Sequence, residues 1–161
     1  MGILYLPMKN TFTLLEARHK IQRYCAYQER CHYEVEEKLK TMGMIPAARE
    51  ILISQLIEED YLNESRFSQH YARGKFRIKK WGKIRIQKEL KARKISEYNV
   101  KLGLKEIDPK DYLQTFYLLF EKRREAVKKE KPSLRKKKIF DYLVYRGWET
   151  SLIYEALNNL E

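Results

Sequence analysis

Glycine, proline and cysteine are all scarce in this sequence of 161 residues. Six glycines and four prolines are too few for the many tight turns of an all-β domain or for a glycine-rich nucleotide loop. The only two cysteines, Cys25 and Cys31, lie in neither a CxxC pair nor a Cys/His cluster with zinc spacing. The composition therefore indicates helices joined by short connections, with two reduced thiols rather than a metal or redox site.

Long hydrophobic runs are also missing. Stretches without a charged residue, such as 51–57 and 112–120, are far shorter than the roughly 20 apolar residues that cross a bilayer. The first six residues lack a basic segment followed by a small-residue cleavage site. We therefore expect a cytoplasmic protein without membrane association. Its 43% of apolar residues is enough for a buried core, which argues against wholesale disorder.

Signatures of catalysis are absent from the sequence. The three histidines, His19, His32 and His70, have no matching cysteine or carboxylate pattern, and neither a phosphate-binding loop nor a GxSxG motif occurs. We therefore expect no catalytic residues, no metal and no other cofactor.

Positive charge is abundant and unevenly distributed. The chain has 34 Lys and Arg against 22 Asp and Glu, a net charge of +12, which favours a partner of negative charge. Residues 1–63 carry −1, residues 64–112 carry +9 and residues 113–161 carry +4. Eleven cations lie between Arg73 and Lys94 against the single acid Glu89, which favours a contact surface over a merely solvated helix face. For a second basic run, residues 128–138, both interpretations remain open.

The apolar residues recur at helical spacing in nearly every segment. Three of the predicted helices each carry a stripe of such residues on one face. These stripes are Leu14, Ala17, Ile21 and Cys25; Phe67, Tyr71, Gly74 and Ile78; and Leu113, Phe116, Phe120 and Val127. Asn63, Ser96 and Thr150 are the expected N-caps. Most of the twelve tyrosines, among them Tyr71, Tyr117 and Tyr142, and both tryptophans, Trp81 and Trp148, are predicted to pack against the core.

A pattern of four apolar residues occurs three times. Its second member is a leucine, and the three leucines are 51 and 53 residues apart. The three sets are Val35, Leu39, Met44 and Ile53; Ile86, Leu90, Ile95 and Leu104; and Ile139, Leu143, Trp148 and Leu157. We therefore predict an all-α protein of three tandem three-helix repeats, residues 1–63, 64–108 and 109–161, in an elongated, curved row. In the middle repeat, Arg85, Lys88 and Lys91 should project away from the core.

Several of these landmarks together resemble the RecX family of bacterial recombinase regulators. The resemblance runs from about Ile21 to the end of the chain. It rests on Glu34–Leu39 followed by Gly43, on Asp60–Phe67, on Lys79–Leu90 with its Trp-Gly-x-x-x-Ile-x-x-Glu-Leu stretch, and on Tyr145–Trp148 before Ile153. The sequence departs from the family pattern where Cys31 replaces a serine N-cap, where Asn63-Glu64 replaces an acidic pair, and where Lys94 replaces a glycine. The last change requires another way to end that helix.

The resemblance implies a non-enzymatic monomer that binds the RecA filament and limits its recombinase, ATPase and co-protease activities. Single- and double-stranded DNA would be contacted through phosphates. The candidate contact residues are Arg73, Arg77, Lys79, Lys80, Lys83, Arg85, Lys88 and Lys91. One alternative is a plain DNA-binding or architectural protein that uses the same cations. A weaker alternative, an enzyme acting on nucleic acid, would need clustered carboxylates for a metal.

Overall fold

The computed structural model describes residues 11–160, so the prediction about the first six residues lies outside the described part. Within that range the chain forms nine α-helices and no strand, which confirms the all-α class. The helices are α1 Leu14–Tyr27, α2 His32–Thr41, α3 Pro46–Glu58, α4 Glu64–Lys79, α5 Lys83–Ala92, α6 Glu97–Leu104, α7 Pro109–Ala126, α8 Pro132–Tyr145 and α9 Thr150–Asn158.

The three repeats predicted from the sequence are visible in how their second helices end. The leucines Leu39, Leu90 and Leu143 of α2, α5 and α8 are fully buried. Five residues after each leucine, a backbone N–H donates to the leucine carbonyl, over 3.1 Å, 3.2 Å and 3.0 Å respectively. The residue before that donor has a left-handed φ in all three repeats. The same helix-ending turn therefore occurs three times in register.

Lys94 ends α5 in the same way as the glycines of the other two repeats. Gly43 and Gly147 have φ values of +75° and +88°, and Lys94 has +58°. The expectation of another ending was therefore wrong, because the lysine backbone adopts the glycine-like conformation. For a residue with a Cβ, this conformation costs roughly 1–2 kcal/mol.

The chain divides into two compact units, the first ending at Phe67 and the second beginning at Ser68. The first unit buries one face each of α1, α2 and α3, including Ile21, Val35, Leu39, Leu52 and Leu56. The second unit has an aromatic core in which the Trp148 ring centroid lies 4.5 Å from that of Tyr112 and 5.5 Å from that of Phe116. The predicted repeat boundaries after residues 63 and 108 stay a prediction.

Three members of the predicted apolar stripes do not face a core. Leu14, Ile78 and Leu113 are 45%, 78% and 46% exposed. Leu14 and Ile78 lie in the terminal turns of α1 and α4, whereas Tyr112 takes the buried position beside Leu113 on α7. The predicted stripe on α7 is therefore one residue out of register at its start, whereas those on α1 and α4 extend into exposed helix ends.

Capping and tyrosine packing also differ in part from the predictions. Asn63 and Ser96 cap α4 and α6 as predicted, but Glu149 rather than Thr150 is the N-cap of α9. Cys31 is the N-cap of α2, and its N–H donates to Glu34 over 3.2 Å.

Tyr117 is exposed rather than packed, and among the described tyrosines Tyr112 alone is buried. The other described tyrosines are half-buried or exposed.

Candidate functional site

The candidate surface is organised by a close backbone contact between the α4–α5 junction and the α8–α9 turn. The N–H of Gly82 donates to the Arg146 carbonyl over 2.8 Å, and that of Ile84 donates to the Gly147 carbonyl over 3.0 Å. A Cβ on Gly82 would lie 2.2 Å from the Gly147 carbonyl oxygen. Only glycine fits at that position. The two most specific pieces of the sequence resemblance, Trp81-Gly82 and Arg146-Gly147-Trp148, are therefore in direct contact.

A buried tyrosine completes the start of α5. Gly82 is the N-cap and has no side chain that could accept a bond from the first turn. Instead the Lys83 N–H donates to the Tyr112 hydroxyl over 2.9 Å, and this hydroxyl donates to Glu149 Oε2 over 2.5 Å. Burial, followed by the bond to Glu149, raises the pKa of Tyr112. The phenol therefore stays neutral and keeps donating at physiological pH.

Three of the eight candidate cations are engaged within the molecule. Arg73 Nη1 lies 3.0 Å from Glu106 Oε2, and Lys83 Nζ lies 4.7 Å from the Tyr112 ring centroid. The Arg85 guanidinium lies 4.1 Å from the Trp81 ring centroid, and its Nη1 donates to the Tyr145 carbonyl over 3.2 Å. Arg85 therefore does not project away from the core as predicted, because two aromatic rings and a carbonyl hold it against the surface.

The other five are exposed at the end of α4, at the junction and along α5. None of them lies within 4.0 Å of a carboxylate among the described residues. We call them the five open cations: Arg77, Lys79, Lys80, Lys88 and Lys91. Lys88 and Lys91 project from α5 as predicted, while Ile86 and Leu90 on its opposite face are fully buried. Whether these side chains contact DNA or protein stays a prediction.

Aromatic rings and one further arginine belong to the same surface and were not among the predicted contact residues. Trp81 is half-buried between Lys75 Nζ, 5.1 Å from its ring centroid, and Arg85. It therefore lies in the surface rather than over a core, unlike Trp148, which is 1% exposed. Tyr145 is 74% exposed, and Arg146 donates to the Lys79 carbonyl. No short-range sequence signal joins residues 79–85 to residues 145–148.

The second basic run has a different local arrangement. Lys128, Lys137 and Lys138 form ion pairs with Glu125, Asp141 and Glu130 respectively. Pro132 is the first residue of α8. We call these three lysines the paired cations. Because neighbouring carboxylates already neutralise them, they present less uncompensated charge than the open cations.

The described residues contain neither a metal-binding cluster nor a membrane-spanning helix. Residues 11–160 contain no group of three or more His, Cys, Asp or Glu side chains that could hold a metal ion. Among the same residues, no helix combines the length and the apolar character that a membrane span requires.

Comparison with known proteins shows similarity to RecX proteins. Residues 63–104, which contain all eight candidate cations, match the second three-helix domain of RecX. Over 138 residues the chain is 27% identical to the regulatory protein RecX of Bacillus cytotoxicus, covering 86% of this chain and 51% of that protein. The resemblance to the RecX family is confirmed. The chain spans about half the length of the curated RecX relatives it matches.

Solved RecX structures share the fold. A crystal structure of regulatory protein RecX superposes with a TM-score of 0.81 at 19% identity, over 91% of this chain and 73% of that one. RecX from Lactobacillus salivarius gives a TM-score of 0.79 at 21% identity, over 91% and 96%. These matches confirm an all-helical fold of tandem three-helix repeats. The RecX relatives are named as regulatory proteins, not as enzymes.

Proposed function

We propose that this chain is a non-enzymatic regulator that binds RecA and its DNA filament and mostly inhibits the recombinase, ATPase and co-protease activities. It would act as a monomer in the cytoplasm, with residues 1–63, 64–108 and 109–161 as its three repeats. The similarity to RecX regulatory proteins supports the class of function. The five open cations support the kind of surface on which it acts.

The observation that carries the proposal is that the open cations stand on a junction whose backbone is already fixed. Two carbonyls of the α8–α9 turn and the Tyr112 hydroxyl accept the N–H groups of the α4–α5 junction. The backbone therefore need not be ordered when a partner binds, which reduces the entropic cost of association. Phosphates and acidic protein surfaces are both complementary to such a set of cations.

The phosphate contacts would be independent of base sequence. Lys and Arg side chains that contact phosphates release counterions and carry no direct sequence information. Lys79 and Lys80 at the helix junction and Lys88 on the exposed side of α5 are suited to this role because all three are exposed. Both single-stranded and double-stranded DNA could be bound in this way.

The test is the DNA-dependent ATPase of RecA, measured with this protein well below one copy per RecA. A protein that recognises the filament should inhibit at these ratios, whereas one that only coats DNA needs strand-saturating amounts. Reversal of Arg77, Lys80 and Lys88 to Glu should abolish the inhibition. The matched reversal of Lys128, Lys137 and Lys138 should largely retain it. Exposed charges change stability by no more than about 0.5 kcal/mol each, so melting temperatures serve as the folding control.

A plain DNA-binding protein is the second candidate, since the same open cations suit bare DNA. Excess competitor DNA separates the two functions. It should restore the ATPase only weakly if RecA is bound directly. Inhibition that appears only at strand saturation and is fully reversed by competitor would contradict the regulator and favour plain DNA binding.

A further inference from the structure

The first unit contains a cationic cleft that its overall charge conceals. Residues 1–63 have a net charge of −1, yet a cleft of about 460 Å³ beside α1 and α2 is lined by four cations. No carboxylate is among the described residues that line it. The cations are Lys20, Arg23, Arg30 and Lys38. A charge count along the sequence misses the cleft because it includes acids that do not line it.

Aromatic rings line the same cleft. The Arg30 guanidinium lies 3.8 Å from the Tyr24 ring centroid, and its Nε donates to the Tyr24 carbonyl over 3.3 Å. Lys38 Nζ lies 5.5 Å from the same ring, and Lys20 Nζ lies 4.9 Å from the Phe12 ring. Tyr27 is 83% exposed at the cleft. The cleft therefore combines a planar apolar wall, held in part by Arg30, with exposed positive charge.

We propose that this cleft binds a nucleotide, whose base stacks on the exposed Tyr27 ring and whose phosphate is neutralised by Arg23 and Lys38. Stacking on an aromatic ring and charge neutralisation by Lys and Arg are the two elements of sequence-independent nucleotide binding. The volume lies within the range of about 300–1,000 Å³ that is usual for small-molecule sites. This site is additional to the proposed function, since none of its residues belongs to the surface formed by residues 73–91.

The test is a nuclear magnetic resonance titration of the full chain, labelled with ¹⁵N, with adenosine 5′-monophosphate, adenosine and inorganic phosphate. The monophosphate should shift the amides of residues 20–31 and 38–42. It should bind at least about fivefold more tightly than adenosine or phosphate alone, because stacking and charge contribute together. Shifts confined to residues 73–91, or equal binding of phosphate and the monophosphate, would overturn the proposal.

Two matched pairs of variants locate the ligand. Lys38→Glu should weaken binding of the monophosphate at least about fivefold, whereas Lys40→Glu, on the same helix but outside the cleft, should not. Tyr27→Ala should weaken it by a similar factor, whereas Tyr98→Ala, which removes a tyrosine that is 74% exposed on α6, should not. Equal effects within either pair would contradict the assignment. All four side chains are exposed, so folding should be retained.

The nucleotide could be free in solution or part of a DNA strand, and the four-nucleotide strand dT4 distinguishes these sources. Tighter binding of dT4 than of the monophosphate at the same amides would identify a strand. Equal or weaker binding would identify a free nucleotide. An abasic strand of equal length should not shift residues 20–31, and if it did, the stacking component would be wrong. The open-cation variant can lose RecA inhibition without any change in nucleotide binding at the cleft. Failure of one proposal is therefore distinguishable from failure of the other.

Discussion

Two helix junctions in the second unit are rich in lysine and arginine, and they differ in whether these cations pair with carboxylates. At the α4–α5 junction the five open cations lie beyond 4.0 Å of every described carboxylate, whereas three lysines around the α7–α8 junction pair with Glu125, Glu130 and Asp141. The first junction is fixed by the backbone contact between Gly82 and Gly147. The two runs of Lys and Arg therefore differ: five cations of the first have no described carboxylate within 4.0 Å, whereas three lysines of the second are paired with neighbouring acids.

Gly82→Ala should produce the largest loss of stability, because it disrupts the contact that fixes the first junction. The new Cβ would lie 2.2 Å from the Gly147 carbonyl oxygen, and overpacking of this kind costs about 1–3 kcal/mol. Gly74→Ala is the matched control, since nothing lies within 4 Å of its Cβ position inside α4. We expect it to stabilise the protein by about 0.5–1 kcal/mol. Urea unfolding measures both, and equal effects would contradict the close contact.

Tyr112→Phe should cost about 1–2 kcal/mol, because the Lys83 N–H and Glu149 each lose a buried partner. The same change should alter how the free energy of unfolding depends on pH. The pKa of Tyr112 is raised above 10.0 in the folded protein, so its contribution to stability is complete below pH 10 and is lost as the pH rises further. Urea unfolding between pH 8 and pH 11 should therefore show a shallower alkaline loss in the variant.

Cys25 provides the internal reference for this alkaline loss. Burial raises the pKa of the Cys25 thiol from 9.0 to about 11, so both proteins should lose stability between those pH values. The difference in alkaline stability loss between the wild type and the Tyr112→Phe variant then reports the contribution of Tyr112. An identical pH dependence in the two proteins would show that Tyr112 is not held neutral by the junction.

Lys94→Gly should give the smallest effect, a gain of up to about 1 kcal/mol, because it relieves the left-handed backbone at the end of α5. The equivalent residue after α8 is already glycine, Gly147. Lys88→Gly within α5 is the opposite control and should lose about 1 kcal/mol, since glycine disfavours a helix interior. A loss of stability in Lys94→Gly would show that the lysine side chain contributes more than its backbone costs.

Much of the fold follows from local patterns in the sequence. The register of Leu39, Leu90 and Leu143 predicts the three repeats, because one buried residue and one turn recur at a nearly constant interval. The backbone conformation of Lys94 was not predictable in this way. Its left-handed backbone belongs to the turn in which the Ile95 N–H donates to the Leu90 carbonyl, and side-chain preference at that position favours glycine.

The candidate site was predictable only as a region. The density of Lys and Arg between residues 73 and 94 indicates where charge accumulates, but not which side chains stay unpaired. Arg85 contacts Tyr145, 60 positions away, as well as the nearby Trp81, and Arg73 pairs with Glu106, 33 positions away. Local spacing contains no information about such contacts. The cleft around Tyr24 was missed for a different reason, because residues 1–63 have a net charge of −1.

The most direct test of the difference between the two junctions is the salt dependence of DNA binding. Log K should be measured against log salt concentration for the wild type and for two variants that each lose three positive charges. Replacing Arg77, Lys80 and Lys88 with Ala should flatten the slope by about 0.7 to 0.9 for each lost phosphate contact, whereas replacing Lys128, Lys137 and Lys138 with Ala should leave it nearly unchanged. An unchanged slope in the first variant, or an equal flattening in both, would contradict the assignment of the open cations as the contact surface.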